Sequence, residues 1–333
     1  MSRIVTCGEV MMRYTPPEHQ RLKEASSFHI SIGGAEANVA VNLANLGHEV
    51  SLLTALPHHN LGENVRRFLR GHGVGVEAVV HREGRLGTYY MEEGFGLRNA
   101  DVIYDRSFSS FSRLSGGEVD WNQVFEGCTL FHVSGITPAL GEVSRELTLI
   151  ALSEAKKRGI LVSFDMNYRS KLWGVEEAAA TYKEILPFVD RCFIGYKDFT
   201  LLFGMEGTSL FSEATLKSHY ERFKDMYGIG EFACTNRVVQ SANQHTLQGF
   251  FYRDGTMHKT APVTMNVLDR VGGGDAFAAG VLHGLENGFH ERKIVEFGLA
   301  TSVLKHTVRG DHAPFSEEEV LRCLESGGVD VRR

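Results

Sequence analysis

Two stretches of this 333-residue chain combine residue types that could do chemistry together. The first is Asp269-Arg270-Val271-Gly272-Gly273-Gly274-Asp275-Ala276-Phe277, in which three glycines run into an acid that opens an apolar helical pattern. Glycines let the backbone approach a ligand where a Cβ would clash. A helix start leaves its first N–H groups without partners and carries partial positive charge. The amides of Gly272, Gly273 and Gly274 can therefore cradle an anion, with the Asp275 carboxylate beside it. That pairing suits moving a phosphoryl group onto a hydroxyl whose proton the carboxylate takes. The plain structural alternative is a tight loop followed by an N-cap, worth about 1 kcal/mol. The second stretch is Ile32-Gly33-Gly34-Ala35-Glu36-Ala37-Asn38-Val39-Ala40. Its glycine pair stands at a strand-to-helix turn, and Asn38 lies about one turn into the helix, within reach of a small polar ligand. Its structural alternative is a glycine turn with a solvated Asn.

Other chemistries find no support. There is no Gly-Lys dipeptide and so no Walker A loop, no Gly-x-Ser-x-Gly elbow and no His-Glu-x-x-His helix. His58-His59 is a loop pair in a chain with 15 histidines and is expected at the surface. A formal charge of −6 argues against a nucleic-acid partner, and the basic pieces Arg66-Arg67 and Lys156-Lys157-Arg158 fall on helical faces. The five cysteines lie far apart, without metal-ligand spacing or an even-count framework, which suits a reducing compartment. No apolar run has the roughly 18 residues a membrane span needs. Met1-Ser2-Arg3-Ile4-Val5 enters a strand pattern at once, without signal-peptide architecture, so a cytoplasmic location is expected.

The elements that must position these residues follow from periodicity. Strands are expected at 3–8, 10–14, 49–56, 76–80, 130–134, 160–164, 191–195 and 231–235, and a hairpin at 248–260 around Arg253-Asp254-Gly255. Helices are expected at 37–46, 62–72, 143–158, 176–186, 198–203, 216–227, 275–287, 293–306 and 317–325. The alternation implies an α/β fold with a mostly parallel sheet, helices on both faces, and ligands at the carboxyl ends of the strands. Phe28, Ile30 and Ile32 alternate with polar residues, and 86–91 and 102–104 are aromatic-rich β-runs that break the alternation. They are expected to form a small β-sheet lid, built from about 13–33 and 84–110, inserted in one domain spanning 1–333.

The two glycine stretches together resemble the two signatures of the ribokinase-like (PfkB) carbohydrate kinases: an N-terminal Gly-Gly-x-x-x-Asn-x-Ala and a C-terminal Asp-x-x-Gly-x-Gly-Asp. The resemblance covers essentially the whole chain and implies that family's three-layer fold. Within the family the likeness is to 2-keto-3-deoxygluconate kinases. Gly8-Glu9 with Arg13, Arg85-Leu86-Gly87-Thr88-Tyr89-Tyr90, Tyr104-Asp105-Arg106 and Asp165-Met166-Asn167-Tyr168-Arg169 carry it. The resemblance implies a kinase using ATP and Mg²⁺, with Asp275 as base and Gly272, Gly273 and Gly274 as the anion cradle. It places Gly33, Gly34, Asn38, Arg13, Tyr89, Tyr104, Arg106 and Arg169 at the substrate, and Asn167, Thr235, Arg237, Gly272, Gly274 and Lys305 at the nucleotide. Arg106 and Arg169 suit a sugar acid, because a guanidinium matches a carboxylate bidentately and a neutral sugar needs no such pair. A kinase for fructose, ribose or 2-keto-3-deoxygalactonate, and a catalytically silent sugar-binding regulator, are the competing readings.

Three departures qualify the resemblance. Tyr196-Lys197-Asp198-Phe199 stands where the family commonly has Asn-x-x-Glu, so the metal ligands are open: either Asp198 substitutes, or the metal is held mainly by ATP and nearby acids. Arg270 stands where Thr is frequent beside the family's monovalent-cation loop, and its guanidinium is a candidate replacement for that cation. Thr235-Asn236-Arg237 replaces a glycine-containing run on the nucleotide side. The edges of the lid sheet offer a pairing surface for a homodimer.

Overall fold

The computed structural model describes residues 3–208 and 210–326. The first half runs β1 (Arg3–Cys7), β2 (Met11–Thr15), β3 (His29–Gly33), α1 (Ala35–Asn45), β4 (Glu49–Leu56), α2 (Asn60–Gly71), β5 (Val74–Gly75), β6 (Val79–His81), β7 (Gly87–Glu92) and β8 (Asp101–Asp105). The middle holds α3 (Trp121–Val124), β9 (Cys128–Ser134), α4 (Glu142–Lys157), β10 (Leu161–Asp165), α5 (Val175–Ile185), β11 (Arg191–Phe193), α6 (Tyr196–Phe203) and α7 (Glu213–Tyr227). The chain closes with β12 (Glu231–Ser241), β13 (Gln244–Arg253), β14 (Thr256–Lys259), β15 (Val263–Asn266), α8 (Gly273–Glu286), α9 (Glu291–Lys305) and α10 (Glu317–Ser326).

Eleven strands form the main sheet in the order β14-β13-β12-β11-β10-β9-β1-β4-β5, with β15 on β13 and β6 on β4. The pairs from β4 to β12 are parallel and the last hairpins are antiparallel. Side chains alternate between two cores, as the period of a strand requires. Val5, Phe131, Val133, Cys192 and Phe232 face one core with α4, α5, α6 and α7. Ile4, Leu130, Phe193 and Ala233 face the other with α1, α2, α8 and α9. Strands covered on both faces read as continuous apolar runs, which is why β1 and β9 were legible in the sequence.

Two expectations need correction. The strand expected at 76–80 is two short pieces, β5 and β6, each pairing with a different part of β4. The strand expected to stop at Thr235 continues to Ser241, and β13 begins at Gln244, so the two form a long hairpin turning at Ala242-Asn243. Asn236 to Gln240 are polar or exposed, so no hydrophobic alternation marked them.

A separate four-stranded sheet has the order β3-β2-β7-β8. Its register puts Ser31, Arg13, Tyr89 and Tyr104 in one row and Ile30, Tyr14, Tyr90 and Ile103 in the next. Adjacent rows project to opposite faces. Arg13 and Tyr89 are buried toward the main body, whereas Ile30 and Ile103 are exposed.

Candidate active site

The stretch Ile32–Ala40 folds as the carboxyl end of β3 turning into α1, and Asp269–Phe277 as the loop that enters α8. Asp275 and Asn38 lie on these two helices and meet: the Asn38 amide donates to Asp275 Oδ2 at 2.7 Å. Asp275 is buried. Burial raises its pKa to about 7, against the Asn38 hydrogen bond and the charge of Arg169, with Glu36 and Asp311 adding to the rise. A base is most effective when its pKa lies near the working pH, and this carboxylate is so placed.

The glycine loop leads straight into the helix. Gly272 has φ 77°, and a Cβ there would overlap the Asp311 carbonyl, so both conformation and space require glycine. The first helical bond runs from Ala276 N–H to the Gly272 carbonyl at 2.8 Å. The N–H groups of Gly274 and Asp275 precede it and have no helical acceptor. Gly274 faces open space.

A buried ionic cluster underlies both stretches. Arg13 on β2 contacts Asp269 at 2.5 Å and Asp311 at 3.2 Å. Tyr89 on β7 donates to the same Asp311 carboxylate. Asp311 also lies against Gly33, where a Cβ would overlap its side chain. Its carbonyl touches Gly272 and its carboxylate touches Gly33, so this residue joins the two glycine stretches. Burial works against the charge on Arg13, but Asp311 and Asp269 prevail and hold its pKa above the ordinary value. Burial likewise opposes ionisation of Asp269, but Arg13 and Lys305 keep its pKa low. Arg13 and Tyr89, expected to meet substrate, therefore have their polar groups on site carboxylates. Lys305, expected at the nucleotide, is fully buried and donates to the carbonyls of Asp269 and Val308 at 3.1 and 3.3 Å.

Arg106 follows β8 and is buried against Glu9, its Nε donating to Glu9 Oε2 at 2.7 Å and its Nη2 to the same oxygen. The Tyr104 ring lies 5.7 Å from its guanidinium carbon. Arg169, Arg237 and Arg270 form a second group, all exposed by area yet close enough to repel one another. Enclosure by the surrounding protein, then the charges of Arg270 and Arg169, bring the Arg237 pKa down to about 10. Among the described residues none of the three has an acidic partner within ion-pair distance. Arg270 also makes no hydrogen bond to a described carbonyl; the cation on the loop carbonyls is the Lys305 ammonium.

At the carboxyl end of β10, Asp165 is pushed up to about 8 by burial and then by Asp275 and Asp198, with Arg169 opposing. Asp198, at the start of α6, is also raised by burial, while it accepts from Gly195 N–H at 2.8 Å. Asn167 has φ 36°, a left-handed conformation that Asn tolerates better than most residues, and its N–H donates to Asp165 Oδ1 at 3.1 Å. Thr235 is half-buried on β12. Among the described residues no three His, Cys, Asp or Glu groups converge to hold a metal ion.

Sequence reasoning missed the roles of Glu36 and Asp311, and of Glu9 beyond its place in a motif. Glu36 is buried and accepts from Ser134 N–H at 3.0 Å, Ser134 Oγ at 2.8 Å and Thr137 Oγ at 2.7 Å, which ties α1 to the end of β9. The one usable signal was an acid inside the glycine-alanine run that opens α1. Asp311 follows a glycine in a loop and carries no periodic signal. A cavity of about 480 Å³ lies between residues 91–100, the β12–β13 hairpin tip and residues 267–270, and reaches the glycine loop only at Asp269 and Arg270.

The arrangement holds a carboxylate near neutrality beside free helix-start amides, with unpaired guanidinium groups in the same cleft. This is equipment for placing a phosphoryl group on a hydroxyl. Known proteins agree. The chain is 33% identical over 332 residues to a 2-dehydro-3-deoxygalactonokinase of Haloferax volcanii, covering 100% of this chain and 99% of that one. It is 28% identical to a 2-dehydro-3-deoxygluconokinase of Bacillus subtilis, over 99% of this chain and 97% of that one. The crystal structure of a 2-dehydro-3-deoxygluconokinase from Thermotoga maritima superposes with a TM-score of 0.95 at 33% identity, over 98% of this chain and all of that one. The sequence profile described as "pfkB family carbohydrate kinase" matches residues 1–318, and this chain belongs to that family, as a phosphotransferase acting on an alcohol group.

Proposed function

We propose that the chain transfers the γ-phosphoryl group of ATP to the terminal (6-) hydroxyl of 2-keto-3-deoxygluconate, giving 2-keto-3-deoxy-6-phosphogluconate and ADP. The observation that carries this is the Asn38–Asp275 pair, with Asp275 near pKa 7 at the free end of α8, next to an unpaired Arg169. Arg169 meets the substrate carboxylate. Arg106, with two of its nitrogens on Glu9, contributes through its remaining Nη1. A neutral sugar would leave Arg169 without a partner. The 2-keto-3-deoxygalactonate epimer is the second reading, favoured by the activity named for the Haloferax relative.

In the reaction the substrate O6–H proton passes to Asp275, a bond forms from O6 to the γ-phosphorus, and the bond from that phosphorus to the β–γ bridging oxygen breaks. Asn38 orients the Asp275 carboxylate. The Gly274 and Asp275 N–H groups take the charge on the transferring group, since such transfer rests on positioning and electrostatics. Arg237 and Arg270, with Asn167 and Thr235, serve the nucleotide side. Asp165 and Asp198, both raised first by burial and both opposed by the charge of Arg169, would be the residues to hold a divalent cation. Mg²⁺ carried by the nucleotide phosphates would be held there and would neutralise phosphate charge. The small sheet acts as a lid over the acceptor, excluding competing water. Its row Ile30, Tyr14, Tyr90 and Ile103, exposed at the two ends, fits the same row of a second copy in a homodimer.

ADP release over a panel tests the reading: 2-keto-3-deoxygluconate, its galactonate epimer, fructose, ribose and adenosine. Release with the keto acids is expected, fastest with the gluconate form. Turnover of fructose or ribose in preference to the keto acids would overturn it.

A further inference from the structure

The last turn of α9 and the residue that caps it carry three polar residues on one face, Ser302, Lys305 and His306, at the spacing that brings side chains together on a helix. All three meet the loop that enters α8. Ser302 Oγ donates to the Gly273 carbonyl at 2.8 Å. The His306 ring lies where a Gly273 Cβ would be, and its carbonyl accepts from Leu268 N–H at 2.8 Å. Lys305 reaches between them with its ammonium on the Asp269 and Val308 carbonyls, and its whole side chain is shut from water. α9 can come this close because Gly280 of α8 lies against the Gly298 backbone.

A buried ammonium is costly, so its placement on two backbone carbonyls calls for an explanation. The two carbonyls belong to the two loops that meet at the site. Asp269 opens the loop that ends at Gly272–Gly274. Val308 opens the loop that ends at Asp311, whose carbonyl closes on Gly272. Among the described residues, Asp269 and Asp311 together have only Arg13 as a directly paired cation. Without a second positive charge the loops would present two carbonyls and an excess of carboxylate to one another. Resting on the kinase reading above, we propose that Lys305 is a tethered cation. It clips the 269–272 and 308–311 loops together and thereby positions the anion-binding amides, a task that a free monovalent ion would otherwise have to perform. Lys305 touches neither reactant; it is a positioning residue.

The test is chemical rescue. Lys305→Ala leaves a cationless gap at the carbonyls, and Lys305→Met keeps the stem without the charge. Turnover of both variants should fall about 10²-fold, the scale for losing preorganised donors, with the ATP KM changed far less. Ammonium, methylammonium or K⁺ should restore Lys305→Ala by about tenfold or more, the smallest ratio that a shift of one decade in barrier gives. The same ions should not restore Lys305→Met, whose stem fills the gap. Wild-type turnover should be unchanged when Na⁺, K⁺ and ammonium are exchanged. If Lys305→Ala is too unstable to turn over, its melting temperature should rise with ammonium but not with tetramethylammonium, which is too large to enter. Wild-type activation by K⁺, or a Lys305→Ala protein indifferent to every cation in turnover and melting, would overturn the inference. Wild-type turnover on the acceptor panel judges the kinase reading separately, since rescue is a ratio against wild type with whichever acceptor reacts, and melting needs none.

Discussion

At the scale of single residues, the proposed transfer depends on one carboxylate whose pKa burial raises to about 7. Asp275→Asn keeps the shape and the Asn38 contact in altered form but cannot take a proton. Its turnover should fall by at least about 10²-fold, with ATP binding near wild type. The same substitution has a stability consequence whose sign follows from proton binding. The folded pKa of Asp275 is raised to about 7 from an ordinary 3.8, so between those values the folded state holds a proton the unfolded state has lost. Stability from this group is fully present below the unfolded value and is lost as pH rises through about 7. Asp275→Asn should therefore melt above wild type at pH 8, with the difference shrinking at pH 5. With Asp275 as the proposed base, acting in its ionised form, wild-type kcat should rise with pH through about 7 and then level, and a flat profile from pH 5.5 to 8.5 would exclude Asp275 as the titrating base. Arg169→Met, which removes the unpaired guanidinium while keeping an apolar stem, should raise the keto-acid KM about tenfold or more, in line with losing a charged hydrogen-bonded partner. The ATP KM should move much less.

At the scale of elements, the contact between α8 and α9 sets the loop on which the site rests. A Cβ at Gly280 would lie 2.8 Å from the Gly298 Cα and from Thr301 Oγ1. Alanine favours an exposed helix over glycine by about 1 kcal/mol, whereas overpacking a core costs about 1–3 kcal/mol. The obstacle here includes backbone, which cannot rotate aside, so the second effect wins. Gly280→Ala should lower the melting temperature and, by moving Ser302 and Lys305 off the loop, lower turnover as well. The β12–β13 hairpin offers a milder test. Its tip reaches the connection between β7 and β8: Ala242 N–H donates to the Gly96 carbonyl at 2.9 Å, and Gly96 N–H donates to Asn243 Oδ1 at 2.8 Å. Asn243→Ala should speed hydrogen exchange at Gly96 by an amount matching about 1 kcal/mol, without altering exchange in α8.

At the scale of the whole molecule, the small sheet has two faces in different surroundings. One row enters the ionic cluster through Arg13 and Tyr89, and the opposite row ends in exposed Ile30 and Ile103. Tyr14 and Tyr90 stack between them with ring centroids 5.3 Å apart. With open edges at β3 and β8, this face suits a second copy. Light scattering should give twice the monomer mass for wild type, and Ile30→Glu with Ile103→Glu should give the monomer. A wild-type monomer at assay concentration would remove the dimer.

The sequence by itself determined what is local. Apolar runs set β1, β9 and β10, the 3.6-residue period set α8 and α9, and glycine pairs followed by Asn38 and Asp275 marked both halves of the site, because these signals lie within a few residues of one another. Only the tertiary structure decided where the charged side chains go. Arg13 and Tyr89 face Asp269 and Asp311 from strands more than two hundred positions away in the chain, and Lys305 turns to carbonyls instead of a ligand. The long hairpin was hidden for a related reason, since its outer half leaves the covered sheet and so loses the alternation that burial imposes. Periodicity records which face of an element is covered. The partner of a buried charge is fixed by how the elements pack, and in this protein that packing brings Asp311 from the carboxyl-terminal loop to join the two glycine stretches.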